Sequence, residues 1–209
     1  LTANLPKPLL KVGGKPLIEH QIERLKDAGV TEFVINHFYL GRMIEEHLGN
    51  GSTLGIKIVY SREPIQLETA GGIIKSLPKL QEESFIVVNA DVWTDFPFSK
   101  LPDTINSDAH LVLVPNPPHH PEGDFGLHES FVQMKHAASS TLTYAGIGLY
   151  RKSLFASHPG GRLPLAPLLN EAAQDRRLSG QLYHGRWMDI GTPQRLAEAR
   201  ARAHLDSSR

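Results

Sequence analysis

Two aspartates stand where a sheet would deliver them to a ligand. Asp91 closes the apolar run Val87-Val88-Asn89-Ala90-Asp91, and Asp189 lies in Trp187-Met188-Asp189-Ile190-Gly191-Thr192. In open α/β sheets, ligands collect outside the carboxyl ends of the strands. A carboxylate placed there offers hard oxygen donors, the kind that Mg²⁺ takes. Asp91 alone reads equally well as a turn or cap residue. Asp189 is not needed for the helix start behind it, because Thr192 as N-cap and Pro193 at the first helical position account for that. If the two carboxylates converge, they can share one Mg²⁺.

Two weaker signals accompany them. Lys7 sits between Pro6 and Pro8, which should hold the backbone extended and present a point charge to a phosphate. Taken alone, an exposed loop lysine is the simpler reading. In Leu67-Glu68-Thr69-Ala70-Gly71-Gly72, paired glycines follow Thr69, the expected N-cap of a helix. They would let the backbone approach a flat ligand or a phosphate closely, or simply let the helix pack. Gly13-Gly14-Lys15-Pro16 is a turn before a helix, since its spacing is wrong for a Walker A loop. There is no G-x-G-x-x-G, G-x-S-x-G or H-E-x-x-H. His119-His120 lies in a Pro-rich loop and reads as solvated or substrate-facing rather than metal-binding. Trp93 reads as packing, with base stacking as the second option.

The elements that must position these residues alternate short β-rich runs with amphipathic helices. Helices are predicted over 16–28, where Ile18, Ile22 and Leu25 form one apolar stripe, and over 42–48, 70–77, 163–176 and 193–204. Strands are predicted over 32–38, 56–60, 84–89, 110–114, 127–135, 142–150, 181–184 and 186–190. The continuous apolar run 84–89 has the character of a strand buried on both faces of a parallel sheet. This order implies an α/β fold with a doubly wound, mostly parallel, Rossmann-like sheet. Residues 115–126 form a loop rich in Pro, His and Gly, and residues 206–209 should fray.

The 209 residues fit one domain, or one domain with a small lobe, falling into halves 1–107 and 108–209, the second ending in a helix. Lys+Arg and Asp+Glu both number 22, so no charge surplus marks the chain for nucleic acid or anionic lipid. No apolar run is long enough to span a bilayer. The absence of cysteine removes disulfides, thiolate chemistry and Cys-based zinc sites, and suits a cytoplasmic setting.

Taken together and in this order, the motifs resemble the sugar-1-phosphate nucleotidylyltransferases. Pro6-Lys7-Pro8-Leu9-Leu10 running to Gly13-Gly14-Lys15-Pro16-Leu17-Ile18 is similar to that family's N-terminal signature. Leu67 to Gly71 is similar to its nucleotide segment, and Asp91 and Asp189 to its two metal-binding aspartates. Stretches 34–37, 67–73, 88–95 and 119–125 resemble the branch that uridylylates N-acetylmuramic acid 1-phosphate in bacterial cell-wall recycling. The resemblance implies the nucleotide-diphospho-sugar transferase fold with a small sugar-binding β lobe.

It further implies UTP and a sugar 1-phosphate as partners, Mg²⁺ as cofactor, and a monomer or weak homodimer. Asp91 and Asp189 would bind the metal, and Lys7 would neutralise phosphate. Glu68, Thr69 and Gly71, with Glu63 as a weaker candidate, would frame the nucleotide. Asn89, Asp124, Gly126, Tyr144 and Gly146 would line the sugar, with His119 and His120 nearby. The family's Gly-rich loop and its Arg belong before Leu1, so roughly 15–20 residues, about one strand and a loop, are expected ahead of it. Where many relatives carry a sugar-binding Glu, this sequence reads Gln133-Met134-Lys135-His136. Two alternatives stay open. One is the same chemistry on mannose 1-phosphate with GTP, or on glucose 1-phosphate. The other is a non-catalytic nucleotide-sugar-binding regulatory domain, which the two strand-end aspartates disfavour.

Overall fold

A computed structural model describes residues 4–138 and 140–207. Leu1 and Thr2, and the end of the expected frayed tail at 208–209, lie outside the described residues. In chain order the elements begin with strands β1 (Lys11–Val12) and β2 (Lys15–Pro16), helix α1 (Leu17–Asp27), β3 (Glu32–His37), α2 (Gly41–Leu48), β4 (Lys57–Arg62) and α3 (Glu68–Ser76). They continue with β5 (Ser84–Val88), β6 (Val92–Thr94), β7 (Ala109–Val114), β8 (Phe125–His128), β9 (Phe131–Met134) and β10 (Thr143–Arg151). Helix α4 (Leu165–Gln174), β11 (Leu178–Leu182), β12 (Trp187–Asp189) and α5 (Pro193–Ser207) complete the chain. Two compact units result. One comprises Leu1–Pro64, Asn89–Phe98 and Gly185–Arg209, and the other Ile65–Val88 and Ser99–His184.

In the first unit, the α1 stripe behaves as its spacing predicts. Ile18, Ile22 and Leu25 are buried, together with Leu17 and Gln21. Ile18 and Ile22 join Leu9, Ile44, Leu48, Ile56 and Ile58 in one cluster, against which Phe33 and Ile35 of β3 pack. Strands β3 and β4 pair in parallel from Glu32↔Lys57 to His37↔Arg62. Strand β3 is half-buried rather than fully buried. Strands β1 and β2 form a hairpin whose two turn residues, Gly13 and Gly14, have φ of 59° and 81°. That left-handed pair is the geometry a two-residue hairpin needs. Pro16 precedes α1 at φ −56°, ψ 145° instead of opening its first turn.

The second unit is built on a six-stranded sheet in the order β5-β10-β7-β11-β9-β8. The α/β class is as expected, and the sheet is mixed. Strands β7 and β11 run parallel, whereas β5 pairs antiparallel with β10, and β10 antiparallel with β7. The apolar run at 84–89 therefore reflects a strand in a mixed sheet, since apolar composition does not encode pairing sense. The core joins Leu111 and Leu113 of β7 and Leu168, Leu169 and Ala172 of α4 to Tyr150 and Phe155. The single strand expected over 127–135 is a β8–β9 hairpin, because Glu129 turns the chain at φ 56° and His128 pairs with Phe131. Helix α3 begins after Leu67, so Thr69 lies inside its first turn and is not its N-cap.

His110 of β7 is buried in this sheet. Its Nε2–H donates to Gln181 Oε1 at 3.0 Å, and Nδ1 lies 2.9 Å from Ser179 Oγ. Burial pushes its pKa below the ordinary 6.5, against the opposing pull of Gln181. The folded site thus refuses a proton that the unfolded chain accepts. His110 contributes stability that is present above about pH 6.5 and lost as the pH falls below it. The chevron or melt midpoint of wild type should drop more between pH 7.5 and 5.5 than that of His110→Gln. Parallel profiles would remove His110 as a source of acid sensitivity.

Candidate active site

Strand β6, which the sequence did not reveal, decides the position of Asp91. It pairs antiparallel with β12, in register Thr94↔Trp187, Trp93↔Met188 and Val92↔Asp189. The ladder continues one step further, where the Ile190 N–H donates to the Asp91 carbonyl at 2.7 Å. Asp189, in β12, and Asp91, immediately before β6, are therefore backbone neighbours one residue out of register, although almost a hundred residues apart in sequence. Trp93, Met188 and Ile190 anchor both strands in a cluster with Leu10, Leu17 and Leu196. Trp93 is packed, with the Arg186 guanidinium 4.6 Å from its ring centroid. From the other side, the buried Gln21 of α1 donates Nε2–H to the Val92 carbonyl at 2.5 Å.

Each carboxylate has a basic partner. Lys7 Nζ lies 2.9 Å from Asp91 Oδ2, with the side chains 35% and 30% exposed. Arg195 Nη2 lies 3.0 Å from Asp189 Oδ2. Lys7 is not extended. It opens a 3-10 turn, Lys7–Leu9, in which the Leu10 N–H bonds to the Lys7 carbonyl. The fixed φ of Pro8 is compatible with a 3-10 turn as well as with extended backbone, so the two prolines did not determine the outcome. Asn89 is exposed, and its carbonyl accepts the Val92 N–H at 3.2 Å in the turn that carries Asp91. Glu63 follows β4. It accepts a long contact of 3.5 Å from Asn36 Nδ2 and lines a cleft of about 620 Å³ with His37, Phe38, Arg42 and Glu45. In that cleft Arg62 and His37 both bond Glu45, and the Arg62 hydrogen bond holds the Glu45 carboxyl down to about 2. Lys7, Asp91 and Asp189 are not among its walls.

The remaining candidates lie in the second unit. Glu68 adopts φ 62°, unusual for a residue with a side chain. Its Oε1 receives Arg162 Nε and Nη2 at 3.2 and 2.8 Å. Thr69 is exposed on α3. Gly71 is a contact point between segments. A Cβ there would meet the Gly161 carbonyl oxygen at 2.0 Å, and its N–H bonds to the Leu163 carbonyl at 3.0 Å. Gly126 is likewise enclosed, since a Cβ would lie 2.1 Å from the Ala138 Cβ. Gly146 has φ 70° in the irregular stretch of β10 between Tyr144 and Gly148, a β-bulge that favours glycine.

Asp124 and His120 are engaged with the protein itself. Asp124 Oδ2 accepts the Tyr144 N–H at 2.8 Å, and its Oδ1 accepts His120 Nε2–H at 3.0 Å. His119 is exposed in the same loop. Asn116, which the sequence did not single out, ties this loop through Pro121 O, Thr141 and Thr143. The Tyr144 hydroxyl lies 2.7 Å from that of Tyr150, and burial pushes both phenols well above their ordinary range. Any contact of Tyr144 with a ligand therefore falls to its backbone or ring. Tyr144→Phe should leave turnover within about twofold while costing about 1–3 kcal/mol of stability, because the Tyr150 hydroxyl loses its partner. Large loss of turnover with unchanged unfolding midpoint would contradict this.

The family model described as nucleotidyl transferase matches residues 1–205. The chain belongs to the nucleotidyl transferase family. This nucleotidyl transferase is 49% identical over 213 residues to the N-acetylmuramate alpha-1-phosphate uridylyltransferase of Neisseria meningitidis serogroup B, covering 97% of this chain and 91% of that protein. It is 34% identical to the protein of the same name from Caulobacter vibrioides, covering 97% and 90%. The crystal structure of HddC from Yersinia pseudotuberculosis superposes with a TM-score of 0.77 at 19% identity, over 97% of this chain and 92% of that one. At that identity the likeness concerns the fold alone. Among the described residues of this nucleotidyl transferase, no helix is long and apolar enough to cross a membrane, and no three His, Asp or Glu side chains gather as a ready metal cluster.

Proposed function

We propose that the chain transfers UMP from UTP to N-acetylmuramic acid 1-phosphate, giving the UDP-sugar and pyrophosphate, in the cytoplasm and in the service of peptidoglycan recycling. The observation that supports the chemistry is the β6–β12 ladder, whose backbone brings the Asp91 and Asp189 positions next to each other, with Lys7 against the first. The choice of nucleotide and sugar follows the uridylyltransferase relatives. We read residues 1–107 as the nucleotide-binding half and 108–209 as the sugar-binding half of one catalytic domain.

An oxygen of the sugar phosphate attacks the α-phosphorus of UTP, the new P–O bond forms, and the bond to the β-phosphate breaks to release pyrophosphate. No protein nucleophile is required, because a phosphate monoester is already anionic near neutral pH. The barrier is repulsion between two anions, so catalysis reduces to positioning and charge neutralisation. Two carboxylates supply only oxygen donors. That set suits Mg²⁺, which keeps waters and substrate oxygens in its remaining positions. When bound, the ion supplies positive charge at the reacting phosphate. Asp91 and Asp189 would hold it, and Lys7 exchanges its carboxylate partner for phosphate oxygen. Glu68, Thr69 and Gly71, with Glu63, frame the nucleotide. Asn89, Asp124, Gly126, Tyr144 and Gly146 line the sugar.

The test is pyrophosphate release with Mg²⁺ across a panel of nucleotides and sugar 1-phosphates. UTP with N-acetylmuramic acid 1-phosphate should give the highest kcat/KM. Preference for GTP with mannose 1-phosphate, or for glucose 1-phosphate, would reassign the substrates. Binding of nucleotide sugar with no turnover on any pair would reassign the chain as a regulatory domain.

A further inference from the structure

Arg195 forms an ion pair with Asp189 that neither the helix start nor the strand end requires. Its Nη2 lies 3.0 Å from Asp189 Oδ2, and the two side chains are only 19% and 29% exposed. An arginine in the first turn of a helix ordinarily points to solvent, and a positive charge near a helix N-terminus is unfavourable. This one is folded back over Gly191. A Cβ at position 191 would meet Arg195 Nη2 at 2.0 Å. Gly191 does not have the left-handed backbone that usually calls for glycine. Its lack of a side chain therefore serves space, and the guanidinium fills that space. The frame on either side is anchored. Ile190 and Leu196 are buried in one cluster, and the Arg195 N–H bonds to the capping Thr192 Oγ1 at 3.2 Å. Arg195 Nε is buried without a hydrogen-bond partner, a cost that an arginine free to extend into water would not bear.

We propose that Arg195 is a positioning residue for the nucleotidyl transfer: seated over Gly191, its guanidinium holds the Asp189 carboxylate by Oδ2 and so fixes the direction in which that carboxylate meets the cation. This rests on the assignment of Asp189 as a metal carboxylate. An aspartate turns about two side-chain torsions, and a charge-assisted bond to one oxygen sets the direction of the other. The partners of metal-binding groups commonly act this way, and their loss weakens metal binding or activity by about 10–100-fold.

The test is Mn²⁺ binding, followed by electron paramagnetic resonance, on the full-length protein and on Asp189→Asn, Arg195→Leu, Arg195→Lys and Gly191→Ala, with melting curves for each. Gly191→Ala displaces the guanidinium while keeping its charge. Arg195→Leu and Gly191→Ala should each weaken Mn²⁺ binding by about tenfold or more, with kcat/KM falling in step. Combining them should add little, and Arg195→Lys should recover part of the loss. If Asp189→Asn weakens Mn²⁺ binding but Arg195→Leu binds it as tightly as wild type or more so, the arginine does not position the carboxylate and the proposal is overturned. If Asp189→Asn itself leaves Mn²⁺ binding intact, the metal assignment fails instead. A variant that melts early yet binds Mn²⁺ with wild-type affinity assigns Arg195 to stability alone.

Discussion

Asp91→Asn and Asp189→Asn are each expected to lower kcat by three or more powers of ten while the protein stays folded. Three powers of ten correspond to about 4 kcal/mol of barrier, a reasonable share of what a bound cation contributes at a reacting phosphate. Asn keeps the size and shape of Asp and leaves the backbone bond from the Ile190 N–H to the Asp91 carbonyl intact. What disappears is one negative charge of the pair. The folding cost is small, because Lys7 and Asp91 are both about a third exposed and such pairs contribute about 1 kcal/mol or less. The double variant should be little worse than either single one, since residues acting through a shared group are not additive. Steady-state rates at saturating Mg²⁺, beside melting curves, check all of this. Wild-type turnover in both single variants would reject the two carboxylates as the metal site.

The two aspartates were legible as candidates because each follows an apolar run, where an α/β sheet presents residues to a ligand. The adjacency of their backbones was not. It depends on β6, three residues that follow a turn and carry too little pattern to register as a strand. Arg195 was invisible for a different reason. Its spacing in α5 is that of any helical arginine, and only the space above Gly191 turns it back toward Asp189. Helix α1 was readable because its apolar stripe alone determines which face is buried. The β8–β9 hairpin was not, because its turn runs through Glu129, whose type gives no hint of a left-handed backbone. The resemblance alone marked Asp124 and Tyr144 as sugar contacts; that the Asp124 carboxylate accepts the Tyr144 N–H and that the Tyr144 hydroxyl meets that of Tyr150 was not legible in their residue types.

Gly71 joins the two kinds of reading, and Gly71→Ala carries the second large effect. In an ordinary helix this change is favourable by about 1 kcal/mol, because alanine loses less backbone freedom on folding. Here the new methyl would lie 2.0 Å from the Gly161 carbonyl oxygen and 3.2 Å from the Leu163 nitrogen. Both are backbone atoms, so no side chain can rotate aside. The segments must separate by more than an ångström, which also stretches two bonds, from the Gly71 N–H to Leu163 O at 3.0 Å and from the Leu163 N–H to Leu67 O at 2.9 Å. Overpacking costs about 1–3 kcal/mol, and each weakened hydrogen bond adds about 1 kcal/mol. A net loss of about 3 kcal/mol should lower Tm by roughly 6–12 °C for a chain of this length, with no nucleotide present. Were Gly71 needed only for close approach of a nucleotide, the variant would melt like wild type and bind UTP weakly. An unchanged Tm in the nucleotide-free protein therefore decides against the packing account and in favour of the ligand.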